Sequence, residues 1–235
     1  MSIEVHQLSK TYGSQKAVDQ ISFMVKPGEI VGFLGPNGAG KSSTMKMITA
    51  YMQPDEGVIK VCGEEVREES IATKKKIGYL PELNPLYPDM YVREYLYFIG
   101  GLHQIKSIKA RTEEVIQLTG LSAEANKQIH QLSKGYKQRV GLAAAIIHEP
   151  DVLILDEPTS GLDPNQILEI RHLIKLLGKD KTILFSSHIL QEVEAICDRV
   201  IIIHKGKIVA DSLMADLKRG TNHVSLEEFF RTLTN

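Results

Sequence analysis

The chain has 235 residues, with 28 Lys and Arg against 29 Asp and Glu, and it is 43% hydrophobic and 24% charged. At about 150 residues per domain this is one large domain, or one domain with an insertion, and a tandem multi-domain machine is excluded. A net charge of -1 excludes a protein that grips nucleic acid by bulk positive charge, so any polyanion must be held locally. The composition is that of an ordinary globular core and far from disorder.

Beta-branched or alternating segments at residues 4–8, 17–25, 29–34, 58–61 and 76–80, separated by Gly and Pro turns, predict a strand-rich first third. Between residues 91 and 148 the period changes. Val92, Leu96, Ile99 and Leu102 recur at helical spacing, as do Val115 and Leu118, then Val140, Ala143, Ala144 and Ile147. Beyond residue 151, aliphatic runs at 152–155, 182–185 and 200–203 alternate with helical stretches in which Ile167, Ile170, Ile174 and Leu177 share a face. Buried parallel strands joined by crossover helices explain that alternation. The outer thirds therefore read as one α/β core, residues 1–82 and 150–212. Residues 83–149 read as a helical insertion and 213–235 as a tail whose stripe Leu226, Phe229, Phe230 and Leu233 docks on its own domain.

The longest apolar run, residues 140–147, falls well short of the ~20 residues of a spanning helix, so no membrane insertion is expected. The first ten residues lack the apolar stretch of a secretory signal, so the chain is expected to stay where it is made. Cys62 and Cys197, with no CxxC pattern, indicate neither a disulfide framework nor a zinc site and read as reduced thiols. The triple lysine at 74–76 has no interleaved aromatics and reads as a solvated face.

The run GPNGAGKS at residues 35–42 follows the apolar strand at 30–34 and precedes the helical pattern Met45, Ile48, Thr49, which is the context a phosphate-binding loop requires. Gly35, Pro36, Asn37, Gly38, Ala39 and Gly40 let backbone N–H groups converge on phosphates, and the helix behind presents its positive end. Lys41 is placed to neutralise β- and γ-oxygens, and Ser42, followed by Ser43, offers a hydroxyl to Mg2+. Far along the chain, the apolar run at 152–155 ends in Asp156 and Glu157. Adjacent residues of a strand point to opposite sides, so the two carboxylates can divide the work: Asp156 for the metal, Glu157 for polarising an attacking water.

Between these elements lies LSKGYKQR, residues 132–139, and here the chain resembles the ATP-binding subunits of ABC transporters over nearly its whole length. The family fold that this implies is a P-loop NTPase α/β core with an N-terminal antiparallel β subdomain and an inserted α-helical subdomain. The segment resembles the family's LSGGQ signature, in which Ser133, Lys134, Gly135 and Tyr136 would face the γ-phosphate held by the other subunit, with Ser133 capping the following helix. The resemblance further places Tyr12 on adenine, SGLD at residues 160–163, ending in Asp163, between the two sites, and His188 at the γ-phosphate. It implies ATP and Mg2+ as cofactors and a second ATPase subunit, in a homodimer or a heterodimer. It also implies an integral membrane permease as partner, no nucleic acid, and a peripheral position on the cytoplasmic face of the cell membrane.

Two positions depart from the family pattern. Glu82, in IGYLPE, stands where most relatives carry a glutamine that contacts the metal and water, and its carboxylate adds negative charge beside Asp156 and Glu157. Lys134 and Tyr136 replace one glycine and the glutamine of the signature; the Lys134 side chain is expected to point to solvent while its backbone lines the site. Glu82 and the stretch at 82–96 look most like the ATPases of ABC-2-type exporters, such as the gliding-motility-associated subunit of bacteria. Leu83, Leu86, Tyr87, Met90 and Tyr91 lie where family members receive a short coupling helix from the membrane subunit. The runner-up is a soluble ABC-type ATPase acting on ribosomes or nucleic acid, disfavoured because the chain has neither a second ATPase domain nor a long coiled-coil insertion. A GTPase or kinase switch would leave the signature unexplained.

Overall fold

A computed structural model describes residues 1–219 and 225–234. Two sheets form the frame. The first is antiparallel, with β1 (Ile3–Tyr12), β2 (Gln15–Val25), β4 (Glu56–Val61) and β5 (Glu64–Glu65) in the order β2-β1-β4-β5. The second comprises β3 (Ile30–Leu34), β6 (Ile77–Leu80), β7 (Val152–Asp156), β8 (Thr182–Ser187), β9 (Arg199–His204) and β10 (Lys207–Leu213), in the order β10-β9-β3-β8-β7-β6. Its pairings are parallel except for β10, which runs antiparallel to β9 at the edge.

Every residue of β3, β7 and β8 is buried, because both faces of this sheet are covered, and that is why these strands read as continuous apolar runs. Side chains alternate between two cores, as the period of two requires. Val31 and Phe33 of β3 and Val152 and Ile154 of β7 pack with the first sheet and with Met45, Met47 and Ile48 of α1 (Lys41–Ile48). Ile30, Leu34, Leu153 and Leu155 face the other way, toward α3 (Val92–Leu102), α4 (Ile108–Leu118), α5 (Lys134–Ile146), α6 (Pro164–Leu177) and α7 (Leu190–Ile196).

The expected helices at 91–148 form as α3, α4 and α5, with one difference. Leu102, expected on the buried stripe, is 66% exposed, because α3 stops there and His103 is its C-cap. A short α2 (Ile71–Lys75) carries two of the three consecutive lysines in its last turn, and Lys76, just past it, pairs with Glu64 at 2.9 Å. After α8 (Met214–Arg219), the tail stripe packs as expected. Leu226 of α9 (Leu226–Thr234) is 2% exposed, Phe229, Phe230 and Leu233 rest on the same core, and the Leu226 N–H donates to Glu194 Oε1. Residues 220–224 and Asn235 of that tail lie outside the described residues. Among the described residues no helix is long and apolar enough to cross a membrane.

Candidate functional site: a phosphate-binding cavity at the strand ends

The candidate residues gather because β3, β8, β7 and β6 are parallel neighbours, so the loops at their carboxyl ends meet on one rim. The crevice outside such strand ends is where open parallel sheets bind ligands. From β3 comes the loop at 35–40, from β7 the pair Asp156 and Glu157, from β8 His188, and from β6 Glu82. A cavity of about 560 Å3 on this rim is lined by Tyr12, Asn37, Gly38, Gly40, Lys41, Ser42, Ser43, Glu82, Glu157, Ser160 and His188. Gln15 and Ala17, which carry no motif in the sequence, line it as well.

The loop closes tightly. Ala39 N–H donates to Pro36 O at 3.1 Å, and Gly40, the N-cap of α1, adopts φ 111° while a β-carbon there would lie 2.4 Å from Ala17 O, so a side chain is excluded twice over. Lys41 is 6% exposed. Its ammonium donates to Gly35 O (2.7 Å) and Pro36 O (3.3 Å) and lies 3.6 Å from Glu157 Oε1. Gly35, Pro36 and Ala39 therefore shape the loop from behind without lining the cavity.

The two carboxylates face different partners. Asp156, 1% exposed, accepts from Ser186 Oγ at 2.6 Å and from Ser42 Oγ at 3.2 Å. Glu157, 6% exposed, holds His188 Nδ1 at 2.7 Å through Oε2 and Lys41 through Oε1. Its backbone sits at φ 49°, a conformation unusual for a residue with a side chain, and its N–H donates to Ser186 Oγ at 2.9 Å. Ser186 thus fixes both acids at once, a role invisible in the sequence because a serine inside an apolar strand forms no motif. Tyr12 projects its ring at the rim, with its hydroxyl on Met52 Sδ at 2.9 Å.

Ser133, Lys134, Gly135, Tyr136 and Asp163 do not line this cavity. Ser133 is the N-cap of α5 and accepts from Tyr136 N–H at 3.4 Å; Asp163 is the N-cap of α6 and accepts from Asn165 and Gln166 N–H, both at 3.0 Å. Ser133 and Lys134 are exposed, though the Lys134 ammonium lies against Gly161 instead of pointing free into solvent.

The wall formed by Ser42 and Glu82 also borders a second cavity of about 560 Å3, mostly apolar, lined in part by Tyr79, Tyr95, Ile99, Ala144 and Asn84. His103 and His148 stack in it at 3.8 Å. Burial, reinforced by His103, Lys181 and Arg111, pushes the His148 imidazole down to about 4, while the Tyr79 phenol is pushed up by burial and by Asp156. Of the expected apolar set beside it, Leu86 and Met90 pack inward, whereas Leu83 (86%), Tyr87 (53%) and Tyr91 (49%) face outward. Tyr87 is braced edge-on by Tyr95 and Phe98.

Residues 18–160 match the family described as ABC transporter. The chain belongs to that family. It is 42% identical over 222 residues, 92% of this chain and 71% of the relative, to the bacitracin transport ATP-binding protein BcrA of Bacillus licheniformis. It is 38% identical to the linearmycin resistance ATP-binding protein LnrL of Bacillus subtilis, over 92% of this chain and 70% of that protein. A solved ATP-binding subunit of an ABC transporter superposes over 100% of both chains, with 31% identity and a TM-score of 0.89. A dimeric bacterial ABC transporter cassette superposes over 90% of this chain and 98% of its own, with 25% identity and a TM-score of 0.82. The mixed α/β architecture with a separate antiparallel sheet is therefore that of the ABC ATPase cassettes.

Proposed function

We propose that the chain binds ATP with Mg2+ in the cavity around Lys41, pairs with a second ATPase subunit across the nucleotides, and hydrolyses ATP to drive export through a separate membrane permease. The observation that carries this reading is the division of the site. Lys41, Ser42, Glu157 and His188 converge on one cavity, while Ser133 to Tyr136 stand outside it at the start of α5, where Ser133 and Lys134 are exposed. Two copies facing each other supply each nucleotide with both halves, and loss of the γ-phosphate releases the pair, which converts chemistry into motion.

The residues present suit the cofactor: Ser42 Oγ and Asp156 Oδ1, 3.2 Å apart, are hard oxygen donors of the kind Mg2+ takes, and Glu82 offers another oxygen on the same wall. When bound, the ion supplies neutralisation of charge on the β- and γ-phosphate oxygens. Lys41 exchanges its carbonyl and Glu157 contacts for phosphate oxygens, and the first N–H groups of α1 point the same way. Glu157, kept in place by His188 and by Ser186, then orients a water and accepts its proton. Tyr12 stacks on the adenine. The core at 1–82 and 150–212 carries this chemistry, and the helical part at 83–149 carries the permease contact, at Leu83, Tyr87 and Tyr91 beside the second cavity. Such a subunit sits peripherally on the cytoplasmic face of the membrane. A relative named for Nod factor export, from Paraburkholderia xenovorans and 38% identical over 217 residues, supports export as the direction.

The test is capture of the tagged chain from detergent-solubilised native membranes and from the soluble fraction. Co-purification with a polytopic membrane protein is expected. Recovery with ribosomes, DNA or soluble proteins alone would overturn transport as the purpose.

A further inference from the structure

We propose that Gln166 is a positioning residue that ties the start of α5 to the loop at 160–163 within one subunit, and that position 135 is glycine to make room for it. Gly135 is the second residue of α5, and glycine forms helix less readily than alanine. It is not among the positive-φ glycines, so backbone conformation does not account for it. The space of the missing side chain is filled by Gln166: a β-carbon at 135 would lie 2.5 Å from Cδ, 2.7 Å from Oε1 and 2.8 Å from Nε2, well inside ordinary contact.

Gln166 is committed on its other side. As the third residue of α6 it accepts from the Asp163 N–H through Oε1 (3.4 Å), while its own N–H donates to Asp163 Oδ1 (3.0 Å), the reciprocal pattern of a capping box. One amide therefore rests on the start of α5 and on the cap of α6 together. A second contact runs beside it, with the Lys134 ammonium against Gly161. The inference rests on the two-subunit reading above, in which both loops meet the partner's nucleotide and the tie makes them arrive as one body. An alanine at 135 would displace the Gln166 amide from Asp163, an effect within one subunit and separate from any at the partner's phosphate.

The experiment is a double-mutant cycle on the full chain: parent, Gly135→Ala, Gln166→Ala and the double variant, all carrying Glu157→Gln so that ATP is not consumed. Sedimentation reads the MgATP concentration for half-maximal dimer, and thermal unfolding without nucleotide reads the contact directly. Gly135→Ala is expected to raise the half-maximal concentration at least tenfold when Gln166 is present and less than threefold when it is Ala, and to lower the melting temperature only when Gln166 is present. Equal penalties in both backgrounds would overturn the inference. A parent that fails to dimerise at any MgATP concentration would instead count against the two-subunit reading, and the melting cycle alone would then decide the contact.

Discussion

Removing the Ser186 hydroxyl tests how the two acids are held. Ser186 is fully buried; its Oγ donates to Asp156 Oδ1 at 2.6 Å and accepts from Glu157 N–H at 2.9 Å. Ser186→Ala deletes a hydrogen bond to a carboxylate, about 1.5–3 kcal/mol, and leaves a buried N–H without a partner, about 1–3 kcal/mol. Because the two losses share one atom they do not add fully, and the expected destabilisation is ~3 kcal/mol. For a domain of this size that lowers the melting temperature by about 6–12 °C. Ser42→Ala is the internal comparison: its bond to Asp156 is longer, 3.2 Å, and Ser42 is only half-buried, so its loss is expected below ~1 kcal/mol. Thermal and urea unfolding of the nucleotide-free chain measures both. A Ser186→Ala loss under ~0.5 kcal/mol, the range of ordinary surface changes, or one no larger than that of Ser42→Ala, would refute the reasoning.

His188→Ala removes the 2.7 Å contact that holds Glu157 Oε2 and is expected to lower kcat about ten- to a hundredfold with ATP affinity retained; a loss confined to KM would contradict the positioning role. Lys41→Ala should weaken nucleotide binding at least about tenfold, or ~1.4 kcal/mol, read by isothermal titration, and an unchanged Kd would count against the phosphate loop. His148 carries a pH prediction: the unfolded chain takes up its proton near the ordinary 6.5, whereas the fold refuses it down to about 4. Stability attributable to the neutral imidazole is therefore complete above about 6.5 and falls as pH drops toward 4, by at most ~3 kcal/mol. His148→Gln should flatten the urea midpoint over that window, and an unchanged slope would place the acid sensitivity elsewhere.

What the sequence reveals and what it hides follow physical lines. Strands β7 and β8, buried on both faces, announce themselves as apolar runs, and the loop at 35–42 announces itself by glycine spacing and its lysine. Strand β10 does not, because residues 207–213 alternate between exposed and half-buried and show no apolar face. The convergence of Ser42 with Glu82 depends on the order β3-β8-β7-β6, which is not the order along the chain. The stack of His103 on His148 joins a helix end to the residues after α5, and Gln166 filling the space at Gly135 depends on how α5 and α6 pack. Neither leaves a periodic or spaced signature. Leu102 illustrates the opposite error: the heptad-like spacing continues through it, but the helix has ended.

The most direct test of the central claim is sedimentation of the purified Glu157→Gln chain with saturating MgATP and with MgADP, beside a turnover assay against the unmodified protein. Two chains per particle with MgATP, single chains with MgADP, and turnover reduced to background are the predicted results. Single chains at saturating MgATP, or turnover close to that of the unmodified protein, would contradict the account of a shared site completed by a second subunit and driven by Glu157.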